Sequence, residues 1–200
     1  MAISLVKGQK ISLIKENGSQ LTSFCVGANW GMIISKGFFG GEKQNAVDLD
    51  LSVGLYDANK AFKGAVYFNK LNAPGIQHSG DDLSGDADGD DGLDNEVISI
   101  DLNAIDQNID QIVFVLNSYD QHDFASIPFA SIRLYDGIPT RVNEIVATYN
   151  VASDAKYAGH TSMILGKLYR HNGAWKFAAI GEPTQDTKLQ GTLKTAIQYL

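Results

Sequence analysis

Three absences exclude several familiar classes of protein. Cys25 is the single cysteine among 200 residues, so an intrachain disulfide cannot form and a secreted disulfide scaffold is excluded. No apolar run approaches the roughly 18 residues that a membrane-spanning helix needs, and the N-terminal residues lack the apolar segment of a signal peptide. We therefore expect a soluble, cytoplasmic protein, and the composition leaves peripheral association with a membrane surface open.

Basic residues are missing from a long central stretch. No Lys or Arg occurs between Lys70 and Arg133, although that stretch holds 13 of the 23 acidic residues. The formal net charge of the chain is -7. Because phosphate backbones are bound through clustered Lys and Arg, nucleic acid is not an expected partner. A bound cation would supply the counter-charge that this stretch lacks.

Alternating apolar residues predict short strands. Residues 47–55 place five apolar side chains on one face and Asp48 and Asp50 on the other, which is the pattern of a strand with one buried face. Residues 111–116 are apolar on both faces and suit a central strand.

Turn residues predict how some of these strands connect. The Asn172-Gly173 pair is a strong hairpin signal because both residues tolerate positive φ. Apolar residues alternating on either side of Gly8 favour an opening hairpin, and residues 35–45 are predicted to form a glycine-containing loop.

The last residues predict a short helix. Their apolar side chains recur at helical spacing, at Leu189, Leu193, Ile197 and Leu200. Many short strands followed by one helix favour a mainly all-β fold, a two-sheet β-sandwich with a short C-terminal helix. We expect residues 1–200 to form one domain, since no linker divides the chain.

The densest chemistry lies in an acidic loop, residues 81–96, which holds seven Asp and one Glu. Crowded carboxylates repel one another, and Ca²⁺ relieves that repulsion because it takes 6–8 oxygen ligands in flexible geometry. Glycines within the loop allow tight folding. The number of carboxylates, together with Asp48 and Asp50, favours two ions that share ligands.

Two other interpretations suit this loop less well. An EF-hand does not fit, because Asp91 stands where that loop has Gly and Val97 stands where it has a bidentate Glu. A solvated acidic loop that only keeps the protein soluble is the plainer alternative. The carboxylate density and the absence of basic residues in the loop favour the metal site.

At this loop the sequence resembles the TerD family, which is named for tellurium resistance and linked to bacterial stress response. The resemblance extends over nearly the whole chain. The segments that carry it are ISLVKGQKISLIK (3–15), VDLDLSVGL (47–55), HSGDDLSGDADGDD (78–91), VISIDL (97–102) and LYRHNGAWKF (168–177). It implies a β-sandwich whose acidic loops bind two calcium ions.

Carried over by position, the resemblance implies a set of calcium ligands: Asp48, Asp50, Asp81, Asp86, Asp88, Asp90 and Asp91. Asp82 replaces the Asn that is usual in the family and adds a candidate ligand. Four residues separate Asp91 from Glu96, which is also a candidate, and the roles of Asp94 and Glu96 stay open. Asn29-Trp30-Gly31 stands where the family often has Gly-Trp-Asp.

The functional hypothesis is a calcium-binding stress-response protein without its own catalysis, associated with tellurite resistance. Its expected partners are calcium ions and other stress-response proteins. One alternative is a calcium-assisted hydrolase or transferase, for which His78 or Arg133 would have to approach the loop. Another is an interaction scaffold in which the calcium is only structural.

Overall fold

A computed structural model of the chain describes residues 2–15, 17–36, 40–151 and 155–200. Within these ranges the strands, in chain order, are β1 (Ile3–Ser4), β2 (Lys10–Ser12), β3 (Ser23–Trp30), β4 (Ile33–Lys36), β5 (Glu42–Asn45), β6 (Leu49–Tyr56), β7 (Phe62–Val66), β8 (Asn72–Ala73), β9 (Ile76–His78), β10 (Glu96–Asp101), β11 (Gln111–Ser118), β12 (Ala130–Ile138), β13 (Arg141–Asn150), β14 (Ser162–His171) and β15 (Ala174–Thr184). The helix α1 spans Leu189–Ala196, and short 3₁₀ turns span Phe124–Ser126, Ala155–Tyr157 and Ile197–Tyr199.

Two large sheets form the predicted sandwich. The first sheet has the order β1-β13-β12-β3-β10-β9-β8, and the second has the order β2-β15-β14-β11-β6-β7. Apolar side chains from both sheets meet in one shared core, which includes Phe24 and Ile98 from the first sheet and Leu51 and Phe114 from the second. The central position of β11, between β14 and β6, confirms the interpretation of its continuous apolar run.

Strand β6 is buried on both faces, so the prediction of a single buried face was wrong. Every residue of Leu49–Tyr56 is buried. The odd-numbered side chains enter the shared core, and α1 covers the other face near Gly54 and Tyr56. A Cβ on Gly54 would lie 2.7 Å from Leu193 Cδ2, and Tyr56 Oη donates to the Leu193 carbonyl at 2.7 Å. The helix was predicted, but the sequence did not show which strand it covers.

The hairpin between β14 and β15 confirms the turn signal. Asn172 and Gly173 have φ values of 51° and 78°, the left-handed conformation that a two-residue hairpin turn requires. The opening hairpin was wrong, because β1 pairs in parallel with β13 whereas β2 pairs with β15 in the other sheet. Alternation sets which side chains are buried, and it leaves the partner strand undetermined.

The loop predicted for residues 35–45 is largely a hairpin. Strands β4 and β5 pair antiparallel from Ile33 opposite Asn45 to Lys36 opposite Glu42, and residues 37–39 lie outside the described residues. Both strands are mostly exposed. Because neither face is buried, the hairpin has no apolar alternation that could have identified it.

No helix in the described ranges is long and apolar enough to cross a membrane.

Replacing Leu193 with Ala should lower the free energy of unfolding by about 2–5 kcal/mol, because its side chain fills the space between α1 and the outer face of β6. Lys194→Ala on the same helix is the control and should change it by less than about 0.5 kcal/mol, since Lys194 is exposed. Urea unfolding followed by circular dichroism measures both variants. Equal losses would mean that α1 contributes no specific packing.

Candidate metal centre

The acidic loop between β9 and β10 is attached to the end of β3 by its backbone. The Asp86 N–H donates to the Trp30 carbonyl at 2.9 Å, and the Met32 N–H donates to the Asp86 carbonyl at 3.0 Å. The Val47 N–H donates to the Ser84 carbonyl at 2.9 Å, which brings the loop to the residues that precede β6. These bonds place the loop carboxylates beside the start of β6.

Trp30 forms the floor beneath this part of the loop. Its side chain is fully buried, and the indole N–H donates to the Val47 carbonyl at 2.7 Å. Gly85 lies directly over the ring with φ of 74°, and a Cβ there would lie 2.5 Å from Trp30 Cδ1. A glycine is therefore required at this position for both its conformation and its close approach.

One group of three carboxylates, the first trio, consists of Asp48, Asp50 and Asp81. Each offers an oxygen, and these oxygens lie within 4.8 Å of one another. Asp48 and Asp50 are buried and project from the same side of the chain where β6 begins, whereas Asp81 is exposed in the loop. The trio thus joins a rigid strand to the loop.

Negative charge is poorly compensated in the first trio. Burial, followed by the charge of Glu96, raises the pKa of Asp50 to about 7. Burial, followed by the charge of Asp81, raises the pKa of Asp48 to about 6, and the nearby Asp120 adds to this effect. Among the described residues, no hydrogen-bond partner reaches the buried Oδ1 of Asp48. A bound cation would stabilise the ionised form of both side chains.

The second trio, Asp86, Asp90 and Asp91, lies within the loop itself and also brings three oxygens within 4.8 Å of one another. Neutral groups hold its members in place. Asn29 Nδ2 donates to Asp90 Oδ1 at 2.8 Å, and Asn95 Nδ2 donates to Asp86 Oδ1 at 2.9 Å. The loop carboxylates are therefore arranged without a basic partner inside this trio.

Glu96 on β10 accepts hydrogen bonds that connect the first sheet to β6 of the second sheet and to the loop. Its side chain is fully buried, and Oε2 accepts the Leu51 N–H at 2.7 Å while Oε1 accepts the Asp82 N–H at 3.3 Å. His78 lies beside it, with Nε2 2.8 Å from the Leu51 carbonyl oxygen and 3.4 Å from Glu96 Oε2. The Gly80 N–H donates to His78 Nδ1, which assigns the ring proton to Nε2. Burial raises the pKa of Glu96, and His78 opposes that shift.

Asp94 has a basic partner that the sequence spacing did not indicate. Arg133 Nε donates to Asp94 Oδ1 at 2.8 Å, and the Asp94 side chain is only 1% exposed. Burial raises the pKa of Asp94, and Arg133 opposes that shift. Gly27 makes room for this carboxylate, since a Cβ there would lie 2.0 Å from Asp94 Oδ2. The acidic segment is therefore not free of basic contacts, because Arg133 reaches it from β12.

The structure brings together six of the nine candidate metal ligands, which are the members of the two trios. The other three belong to neither trio. Asp82 accepts the N–H groups of Ser84 and Gly85 at 2.9 Å each, which closes the loop backbone, and Glu96 binds the Leu51 N–H. Asp88 is exposed and belongs to neither trio.

Sequence reasoning missed the residues that support the loop from outside. The Asn29 amide contacts the second trio, at a position where the resemblance noted from the sequence implies a glycine. Asn95 bridges strand and loop, because its Oδ1 accepts the Trp30 N–H at 2.8 Å. A lone Asn next to a strand carries no spacing signal. Only the departure at residues 29–31 could have drawn attention to this position.

Comparisons by family model, sequence and structure all match this chain to proteins of one family. Residues 1–195 match the family model described as the TerD domain. The chain is 41% identical to Stress response protein SCP2 of Bacillus subtilis (strain 168), over 95% of this chain and 96% of that protein. It is 32% identical to Tellurium resistance protein TerZ of Serratia marcescens, over 90% and 89% of the two chains. A crystal structure of a homologue of telluride resistance protein (TerD) from Streptomyces coelicolor A3(2) shares the fold, with a TM-score of 0.63 and 16% identity over 82% of this chain and 91% of that chain.

Replacing Arg133 with Met should lower the free energy of unfolding by about 3–5 kcal/mol, because it leaves Asp94 buried without its partner. Adding Asp94→Asn should restore part of the loss. Lys15→Met is the matched control and should cost less than about 1 kcal/mol, since the Lys15 and Asp136 side chains are 31% and 24% exposed. Denaturant unfolding measures all three. Similar losses for Arg133→Met and Lys15→Met would contradict the buried pair.

Proposed function

Because the chain belongs to the TerD family of tellurium-resistance and stress-response proteins, we propose that it binds calcium, with one ion at each of its two carboxylate trios. The first trio carries this proposal. Asp48 and Asp50 are buried side by side next to Glu96, and the Asp48 Oδ1 atom has no partner in the described part of the chain. Burying ionised carboxylates without compensation is costly, and a divalent cation removes that cost.

The donor chemistry favours calcium over other metals. Both trios offer only carboxylate oxygens, which suit hard cations, whereas zinc and copper favour imidazole and thiolate. Each trio has exposed members, so water can complete a shell of 6–8 ligands. Magnesium should bind more weakly, because it demands octahedral geometry and gives up its water reluctantly.

We propose that the centre binds metal without catalysing a reaction. The two basic groups best placed to act on a substrate already have structural partners. Arg133 is bonded to Asp94 and to the Gly92 carbonyl, while His78 lies against the Leu51 carbonyl and accepts from Gly80. The calcium-bound loop would then be the part of the protein that responds to conditions in the cell and that other stress-response proteins contact.

Calorimetric titration of chelator-treated protein should show two calcium ions per chain. Asp50→Asn should remove one of them by weakening the first trio, and Asp90→Asn should remove the other. Asp106→Asn makes the same charge change away from the loop and should leave both ions bound. A flat titration of the wild type would refute calcium binding.

The variant Asp88→Asn tests whether Asp88 is a calcium ligand. The family resemblance implies that it is, whereas the two trios do not include it. Asp88 is exposed and outside both trios. If the trios with water form the complete sites, this variant should keep two ions with affinity close to that of the wild type. If the variant loses one ion, Asp88 is a calcium ligand, and the loop must close around the metal to bring it there.

Calcium should also stabilise the fold. A ligand that binds only the folded state adds about 2.7 kcal/mol at 100 times its dissociation constant, so chelator should lower the melting temperature by several degrees. Asp50→Asn removes repulsion with Asp48 and Glu96 as well as a ligand. It should therefore melt above the wild type in chelator and below it in calcium.

Thermal melts of the wild type and Asp50→Asn, each with and without calcium, measure this crossover. Asp106→Asn is again the control and should follow the wild type in both conditions. Melting curves of Asp50→Asn that stay parallel to those of the wild type would identify a solvated acidic loop in place of a metal site.

A further inference from the structure

The outer face of the second sheet carries a group of lysines well away from the acidic loop. Strand register puts Lys10 on β2 opposite Ala178 on β15, and Ala178 opposite Lys167 on β14. Lys10 and Lys167 therefore share a face and lie two strands, or about 10 Å, apart. Lys176 is two residues from Ala178 on β15 and points to the same side.

The fourth lysine is Lys60, in the turn between β6 and β7. This turn follows Tyr56, which pairs with Gln111, the residue whose side chain accepts from Lys167. Burial, followed by the like charges of Lys60 and Lys10, lowers the pKa of Lys167. We call Lys10, Lys60, Lys167 and Lys176 the lysine face.

Lys167 has neutral side chains as its contacts on the lysine face. Lys167 Nζ donates to Gln111 Oε1 at 2.9 Å and lies 5.6 Å from the centre of the Tyr169 ring. The nearby Asp57 forms an ion pair with a different lysine, with Lys63 Nζ 2.8 Å from Asp57 Oδ2. As far as the structure describes the chain, no carboxylate lies within 4.0 Å of any of the four ammonium groups.

This arrangement is unexpected in a chain with a net charge of -7. Like charges that share one face of a sheet repel one another unless an opposite charge compensates them. In the described part of the chain no ion pair compensates the lysines on this face, whereas acidic residues are abundant in the loop.

We propose that the lysine face is a docking surface for an anionic lipid membrane. Lysines on a flat sheet can contact several headgroups at once. Phe62, which is 52% exposed and packs edge-on against Tyr56, lies beside α1 at the other edge of this sheet and offers an apolar ring to the membrane interface.

The surface fits a lipid better than a nucleic acid. The four residues are lysines with no arginine among them, so the bidentate contacts typical of phosphate-backbone and base recognition are missing. The acidic loop would repel a long polyanion that extended past the face. A membrane instead presents a plane of diffuse negative charge, which isolated ammonium groups match.

Co-sedimentation with vesicles in the presence of chelator tests this proposal. The wild type should bind vesicles that contain phosphatidylglycerol and phosphatidylcholine, should ignore phosphatidylcholine alone, and should be released by high salt. The double variant Lys10→Gln/Lys176→Gln should bind about 25-fold more weakly, at about fivefold for each lysine removed.

The matched control is Lys43→Gln/Lys188→Gln, which makes the same change in net charge elsewhere and should bind like the wild type. Equal weakening of both double variants would overturn the proposal, because binding would then follow net charge alone. Binding that appears only with calcium would also overturn it and would assign lipid contact to the acidic loop. Tighter binding of duplex DNA than of the vesicles would overturn the lipid assignment. Because the main assay contains chelator and calcium replaces it only in a separate arm, the outcome expected in chelator does not depend on whether the trios bind calcium.

Discussion

The backbone of Leu51 is where the two sheets and the candidate metal centre depend on the same hydrogen bonds. Strand β7 pairs with β6 only from Val53 onwards. On the β7 side of β6, the N–H and C=O of Leu51 therefore have no partner in a neighbouring strand. Glu96 accepts from the N–H and His78 contacts the carbonyl, both from the first sheet. Because buried backbone groups must be paired, these two side chains connect the sheets at the point where Asp50 projects.

Acidic side chains in and beside the loop differ in how their charge is compensated. Asp94 has a buried arginine, and Asp82 accepts backbone N–H groups whose effect outweighs burial and lowers its pKa. Asp48 and Asp50 have neither, although they are buried in the same region. This contrast, more than the number of acidic residues, distinguishes a candidate cation site from a solvated loop, because carboxylates that served solubility alone would be exposed, whereas Asp48 and Asp50 are buried beside the loop.

Charge is also separated across the molecule. The carboxylates gather where β6 begins, whereas the lysine face lies further along the second sheet, on the part of its outer face that α1 leaves uncovered. A protein with this polarity would present its lysines to an anionic surface and its acidic loop to the surrounding solution. Calcium could then reach the trios while the lysine face is occupied, so the two proposed sites need not compete.

The sequence by itself determined the features that depend on neighbouring residues. These include the strand at β6, the buried β11, the turn at Asn172-Gly173, the helix at the end and the acidic loop, because side-chain periodicity and turn conformation are local properties. Only the tertiary structure decided which strands β1 and β2 join, that β6 is covered on both faces, that Arg133 pairs with Asp94 and that the carboxylates divide into two trios. Those outcomes depend on contacts between residues far apart in the chain. Arg133 lies 39 residues from Asp94 in the sequence. A local sequence pattern therefore cannot indicate that the two side chains are in contact.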